Sequence, residues 1–109
     1  MTSLSDKDTF QISQRTAAEQ VNAMIDLADE AGVDGVVCSP HEIELVRARK
    51  TLQSVTPGIR LSQSADDQTR VMTPKEAILK GANYIVIGRP ITSAPNISEA
   101  LTKIFNSIQ

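Results

Sequence analysis

Residues 81–92 read GANYIVIGRPIT, and this stretch decides the fold class. Its centre, Tyr84–Ile87, is a short apolar run without alternating polar residues, as in parallel strands that are buried on both faces. Gly81 stands where a preceding helix would end in a left-handed conformation. The stretch therefore predicts a helix end, then a strand with two buried faces, and then a turn that begins at Gly88 and Arg89.

The same pattern occurs earlier in the chain. Residues 32–39 read GVDGVVCS, which resembles GANYIVIG at residues 81–88. Such an echo is typical of repeated strand–helix units. A weaker apolar run lies between the two copies. We therefore expect three strands, at Val36–Cys38, Leu52–Thr56 and Tyr84–Ile87.

Four helix starts share one chemical pattern, in which a capping side chain precedes a glutamate by three residues. The cap accepts a hydrogen bond from a first-turn N–H group, and the glutamate interacts favourably with the positive helix end. The four sites are Thr16–Glu19, Ser39–Glu42, Thr73–Glu76 and Asn96–Glu99. Together with the strands they predict an α/β fold of order α-β-α-β-α-β-α, with three parallel strands and right-handed crossovers.

An open sheet of three such strands has two unprotected edges, which can pair with another chain. We therefore expect the 109 residues to form a single unit that is part of something larger. We also expect self-association, or association with a missing N-terminal half.

Composition excludes several classes of function. The formal net charge is −2, and no basic stripe with interleaved aromatics occurs, so we expect no nucleic-acid partner. No apolar run approaches the ~18 residues needed to span a bilayer, so we expect no membrane association and a cytoplasmic location. The single cysteine, Cys38, excludes an internal disulfide and is expected to be an inert core residue. With His41, expected at the surface, it makes no metal-binding set.

Polar residues that suit an anion follow two successive strands. The long connection Gly58–Met72 carries Arg60 and Gln68, and the next strand ends in Gly88 and Arg89. Glycine allows a ligand to approach the backbone, and arginine offers a planar fork of donors. In (β/α)₈ barrels, phosphate sites commonly form from the loops after strands seven and eight. The pattern therefore favours a phosphate site.

Several motifs together closely resemble orotidine 5′-phosphate decarboxylase of the bacterial type. They are residues 35–39 (GVVCS), 55–60 (VTPGIR), 67–70 (DQTR), 73–74 (TP) and 85–92 (IVIGRPIT), in that family's order and spacing. The resemblance covers the whole chain. It implies a partial TIM barrel in which residues 1–109 run from the end of strand five through helix eight.

The resemblance also implies roles for individual residues. Arg89, Gln68 and the Gly88 N–H would bind the phosphate of orotidine or uridine monophosphate, with Arg60 beside them. Thr2 would contact the nucleotide from the end of strand five. The family converts orotidine monophosphate to uridine monophosphate and CO₂ in pyrimidine biosynthesis, without metal or cofactor.

One departure from the family pattern concerns catalysis. The family uses an array of two lysines and two aspartates on early strands, including an Asp-x-Lys-x-x-Asp motif, which this chain lacks. The segment Asp6–Asp8 (DKD) is interpreted as a solvated loop. We therefore expect no catalytic residues here and no activity of the chain alone.

Two other functions remain open. One is a non-catalytic module that binds phosphate or assembles with itself. The other is a different phosphosugar barrel, against which residues 57–60 with Asp67 and Gln68 argue.

Overall fold

A computed structural model describes residues 5–61 and 72–109. Within these ranges the chain forms three strands and six α-helices, with a 3₁₀ turn at Pro40–Glu42. The strands are β1 (Gly35–Val37), β2 (Gln53–Thr56) and β3 (Tyr84–Ile85). The helices are α1 (Asp6–Ser13), α2 (Ala17–Ala31), α3 (Ile43–Arg47), α4 (Pro74–Lys80), α5 (Arg89–Thr92) and α6 (Ile97–Ile108).

The three strands form one parallel sheet in the order β1-β2-β3. Val37 of β1 pairs with Val55 of β2, which pairs in turn with Tyr84 of β3. The expected α/β class with three parallel strands is confirmed, and the sheet is open, as in part of a TIM barrel. β2 and β3 are shorter than the apolar runs that predict them, and β1 has the predicted length but begins one residue earlier.

The helix ends follow from local chemistry. The side chains of Thr16, Thr73 and Asn96 each accept a hydrogen bond from the N–H of the glutamate three residues on. At the fourth site Ser39 donates its N–H to a Glu42 carboxylate oxygen at 2.7 Å, while the buried Ser39 hydroxyl has no partner. Three of the four predicted helix starts are therefore confirmed, and the fourth begins the 3₁₀ turn at Pro40–Glu42 that leads into α3.

Helices α2 and α4 end in the same way. Gly32 and Gly81 adopt left-handed conformations, with φ of 73° and 101°. The next residue then donates its N–H back into the helix, from Val33 to Ala28 at 3.4 Å and from Ala82 to Ala77 at 3.0 Å. This is the Schellman arrangement, and it satisfies carbonyls that a helix end would leave free. The sequence echo thus corresponds to a repeated helix-to-strand turn.

The prediction of a solvated loop at Asp6–Asp8 is wrong, because these residues begin helix α1. Ser5 caps this helix: Asp8 N–H donates to the Ser5 hydroxyl at 3.2 Å, and the Asp8 carboxylate accepts from Ser5 N–H at 3.3 Å. Asp6 accepts a hydrogen bond from Ala17 N–H at 2.8 Å, which joins α1 to the start of α2. Aspartate here does what glutamate does at Ser39–Glu42 and Thr73–Glu76, where its carboxylate accepts from the capping residue's N–H.

The core lies on one face of the sheet only. Val36, Cys38, Ile85 and Ile87 pack with buried residues that come mostly from the helices and the strand-flanking segments. The fully buried members of this cluster include Ile43, Val46 and Ala77.

On the opposite face Val37, Tyr84 and Val86 are 68%, 56% and 48% exposed. The prediction that β1 and β3 are buried on both faces is therefore wrong for the described chain, because nothing covers this second face.

In the described part of the chain no helix has the length and apolar character that crossing a membrane requires.

Candidate functional site

A pocket of about 290 Å³ lies at the carboxyl-terminal edge of the sheet. It is lined by residues 57–60, which follow β2, and by Val86 and residues 88–90, which follow β3. Three predicted site residues, Arg60, Gly88 and Arg89, therefore line one cavity. Because parallel strands end at the same edge, successive strand ends meet there.

The loop after β2 bends sharply before it reaches the pocket. Gly58 has a φ of 77°, in the left-handed region that glycine adopts without steric cost. Ile59 then turns into the core and is only 2% exposed. Arg60 follows, half-buried, and its N–H donates to the Met72 carbonyl at 3.0 Å. This geometry places the Arg60 side chain at the pocket.

The loop after β3 contributes glycine and arginine at adjacent positions. The Gly88 carbonyl accepts hydrogen bonds from the N–H groups of Ile91 and Thr92 at 2.9 and 3.0 Å, which begins α5. Apart from its chain neighbours, no described residue has an atom within 4 Å of a Cβ added at Gly88, so the described part of the chain leaves this backbone accessible to a ligand. Arg89 is exposed beside it.

The charge of the pocket favours an anion. The described lining residues include two guanidinium groups, from Arg60 and Arg89, and no carboxylate. Arginine stays protonated at all physiological pH values, and its planar fork matches phosphate and carboxylate oxygens. The remaining walls are prolines, Ile59 and Val86.

Two predicted site residues, Thr2 and Gln68, lie outside the described residues, so their roles stay predictions. Among the described residues, sequence reasoning missed Val86 and Met72. Val86 follows from strand alternation, because it lies on the same face as Tyr84. Met72 pairs with Ile59 in an isolated parallel bridge, and no local sequence pattern predicts this pairing.

Cys38 is buried, 4% exposed, at the end of β1. Burial raises the pKa of its thiol, the contact with the Thr56 hydroxyl at 3.7 Å opposes that rise, and the nearby Glu42 carboxylate adds to it. Since the thiolate is the nucleophile, this environment makes the cysteine unreactive. Residues 5–61 and 72–109 contain no group of three side chains arranged to hold a metal ion.

A second cavity, of about 280 Å³, is an apolar groove between α2 and β1. Its walls are mostly aliphatic, and Cys38 and Glu42 lie at one side of it. The exposed Met24 and Val37 side chains border it. It lies at the β1 edge of the sheet, where β1 pairs with no other described strand than β2.

An open parallel sheet of three strands with helices packed on one face, and a pocket at its carboxyl-terminal edge, matches part of a (β/α)₈ barrel. The family model for orotidine 5′-phosphate decarboxylase / HUMPS matches residues 1–104. The chain belongs to this family.

Relatives of known sequence agree with this assignment. The chain is 47% identical to orotidine 5′-phosphate decarboxylase of Pasteurella multocida over 99% of its own length and 48% of that protein. It is 48% identical to the enzyme of the same name from Actinobacillus pleuropneumoniae, over 100% of the chain and 49% of the relative. The chain thus spans about half the length of the relatives it matches.

Solved structures show the same relationship. Orotidine 5′-phosphate decarboxylase from Lactobacillus acidophilus matches with a TM-score of 0.78 and 35% identity, over 100% of this chain and 46% of that one. An uncharacterized conserved protein from Geobacillus kaustophilus matches with a TM-score of 0.76 and 27% identity, over the same shares.

Proposed function

We propose that this chain is the phosphate-binding part of an orotidine 5′-phosphate decarboxylase, which forms uridine monophosphate and CO₂ in pyrimidine nucleotide synthesis in the cytoplasm. Arg89, the Gly88 N–H and Gln68 bind the nucleotide's phosphate, with Arg60 beside them. Thr2 contacts the nucleotide. The observation that carries the proposal is the single pocket that Arg60, Gly88 and Arg89 line.

The chemistry of the pocket supports a phosphate rather than a neutral ligand. Two guanidinium groups with no acid among the described lining residues attract a dianion. Gly88, where an added Cβ would contact none of the residues in ranges 5–61 and 72–109 apart from its chain neighbours, leaves room for phosphate oxygens to approach the backbone. Binding of a phosphate remote from the pyrimidine supplies energy that the reaction at the ring can use.

We further propose that the chain alone does not carry out the decarboxylation. An Asp-x-Lys-x-x-Asp motif is absent from its 109 residues. The segment Asp6–Asp8 is the part of the chain most similar to that motif, but its two carboxylates serve helix starts. Asp8 accepts a hydrogen bond at the start of α1, and Asp6 accepts one at the start of α2. No turnover of orotidine monophosphate above a protein-free control is expected in a preparation free of host enzyme. Measurable turnover there would contradict this part of the proposal.

The phosphate site is tested by titrating uridine monophosphate against the chain and against Arg89→Ala. Loss of a charge-assisted contact should weaken binding by roughly 1.5–3 kcal/mol. Arg15→Ala is the matched control, because Arg15 is also exposed but contacts Gln20 of α2, away from the pocket. Equal affinities for the chain and Arg89→Ala would refute the site.

A second candidate function is a non-catalytic module that binds phosphate or assembles with itself. The apolar groove beside β1 and the uncovered face of the sheet favour it. Measurement of the mass in solution, with and without an added N-terminal half of a family member, separates the two functions. A stoichiometric complex that gains decarboxylase activity supports the first, and a stable inactive homo-oligomer that ignores the added half supports the second.

A further inference from the structure

The loop that carries Arg60 is held from outside the pocket. After the left-handed turn at Gly58, the chain makes an isolated parallel bridge between Ile59 and Met72. Arg60 N–H donates to the Met72 carbonyl oxygen at 3.0 Å. The main chain of Arg60 is therefore fixed by a residue that does not itself line the pocket.

Met72 is well suited to hold this position. Its side chain is 6% exposed and packs in the same core cluster as Ile59, which is 2% exposed. Buried aliphatic contacts at native packing density leave little freedom to shift, so a side chain placed in this way also fixes its own carbonyl.

The chain that follows Met72 is also held in place. The next residue, Thr73, caps helix α4: its N–H donates to a Glu76 carboxylate oxygen at 2.9 Å, and Glu76 N–H donates to its hydroxyl at 3.3 Å. In the first turn of α4, Ala77 is completely buried in the core. Met72 is thus held by the core and by a capped helix, neither of which depends on a ligand.

We propose that Met72 is a positioning residue for the pocket. Its buried side chain and its carbonyl hold the Gly58–Arg60 turn in the conformation in which the Arg60 side chain lines the cavity. The inference rests on the proposed phosphate-binding function and adds to it a residue that never touches the ligand. The Gly58–Arg60 turn is then preorganised, and binding does not have to order it.

The test is the affinity for uridine monophosphate of Met72→Ala, measured by titration well below its melting temperature. We expect binding about tenfold weaker, the equivalent of losing one charged hydrogen bond. Met72→Leu, which keeps the buried volume, should restore the affinity. Ile25→Ala is the matched control, because Ile25 is also buried in the same cluster, 4% exposed, but lies on α2 away from the pocket.

A merely structural role for Met72 would lower stability in Met72→Ala and Ile25→Ala alike and leave the affinity of the folded fraction unchanged in both. That result would overturn the inference, and so would equal weakening in both variants. If Met72→Ala does not fold, the milder pair Met72→Val and Ile25→Val gives the same comparison, since neither residue lines the pocket. Arg89→Ala separates the two levels: if it weakens binding and Met72→Ala does not, only the positioning role fails.

Discussion

Two glycines at the ends of strands have opposite surroundings, although both look alike in the sequence. A Cβ at Gly35 would lie 2.6 Å from the Gln53 carbonyl oxygen of the neighbouring strand, whereas a Cβ at Gly88 would contact no described residue beyond its chain neighbours within 4 Å. Since a real Cβ does not approach a carbonyl oxygen this closely, Gly35→Ala must push β1 and β2 apart.

We predict that Gly35→Ala lowers the free energy of unfolding by about 1–3 kcal/mol, the usual cost of overpacking. Urea denaturation measures it. Gly88→Ala, the matched control, should unfold at nearly the same urea concentration as the parent chain while binding uridine monophosphate more weakly. A Gly35→Ala protein as stable as the parent would show that the sheet tolerates the added methyl group.

At the same scale, the position of the pocket was predictable and its support was not. Arg60, Gly88 and Arg89 lie within four residues of the ends of β2 and β3, so the shared edge of a parallel sheet brings them together. The contact between Arg60 N–H and the Met72 carbonyl joins residues twelve positions apart, and only tertiary structure reveals it.

At the scale of single elements, helix α4 depends on its first turn. It has seven residues, too few for an isolated helix to be stable, so its reciprocal capping by Thr73 and Glu76 contributes a large share of its local stability. The hydrogen bond from Thr73 N–H lowers the pKa of the Glu76 carboxyl, and the Thr73 hydroxyl adds to this effect.

We predict that Thr73→Ala destabilises the protein by about 1 kcal/mol, the typical value for loss of a helix cap. Thermal unfolding measures it. Thr102→Ala is the control, because Thr102 is exposed within α6 and its hydroxyl contacts only the Ser98 carbonyl; alanine there should be neutral or slightly stabilising. Equal losses in both variants would refute the cap's contribution.

The lowered pKa of Glu76 determines the direction in which protein stability changes with pH. Its folded-state pKa lies below its unfolded value, so the stability it contributes is present above the unfolded pKa and is lost as the pH falls through the folded value.

The helix starts were predictable from sequence because capping is a local interaction between residues three apart. Helix α1 was missed because its cap pairs Ser5 with aspartate instead of glutamate, although the geometry is the same. The apolar runs could not show that one face of β1 and β3 is exposed, since the exposure of Val37 and Tyr84 depends on what packs against that face.

At the scale of the whole molecule, the uncovered sheet face is the most consequential surface. Val37, Tyr84 and Val86 are all about half exposed or more, and within the described chain β1 and β3 each have one edge without a neighbouring strand. Contiguous apolar surface next to unpaired strand edges promotes association with another chain.

We predict that the isolated chain self-associates at micromolar concentrations, and that Val37→Lys weakens this association. Sedimentation over a wide concentration range measures it. Leu79→Lys is the control, because Leu79 is 73% exposed on α4, away from the sheet face, and its replacement should leave association unchanged. A cooperatively melting monomer at high micromolar concentration would contradict the prediction.

The repeated turn after α2 and α4 determines the residue at which each of two strands begins. β1 begins at Gly35, three residues after Gly32, and β3 begins at Tyr84, three residues after Gly81. One residue inserted between Gly81 and Tyr84 would carry Ile85 from the helix-covered face to the bare one, because successive side chains of a strand point to opposite faces. The number of residues between Gly81 and β3 therefore determines how Gly88 and Arg89 are oriented at the opposite end of the sheet.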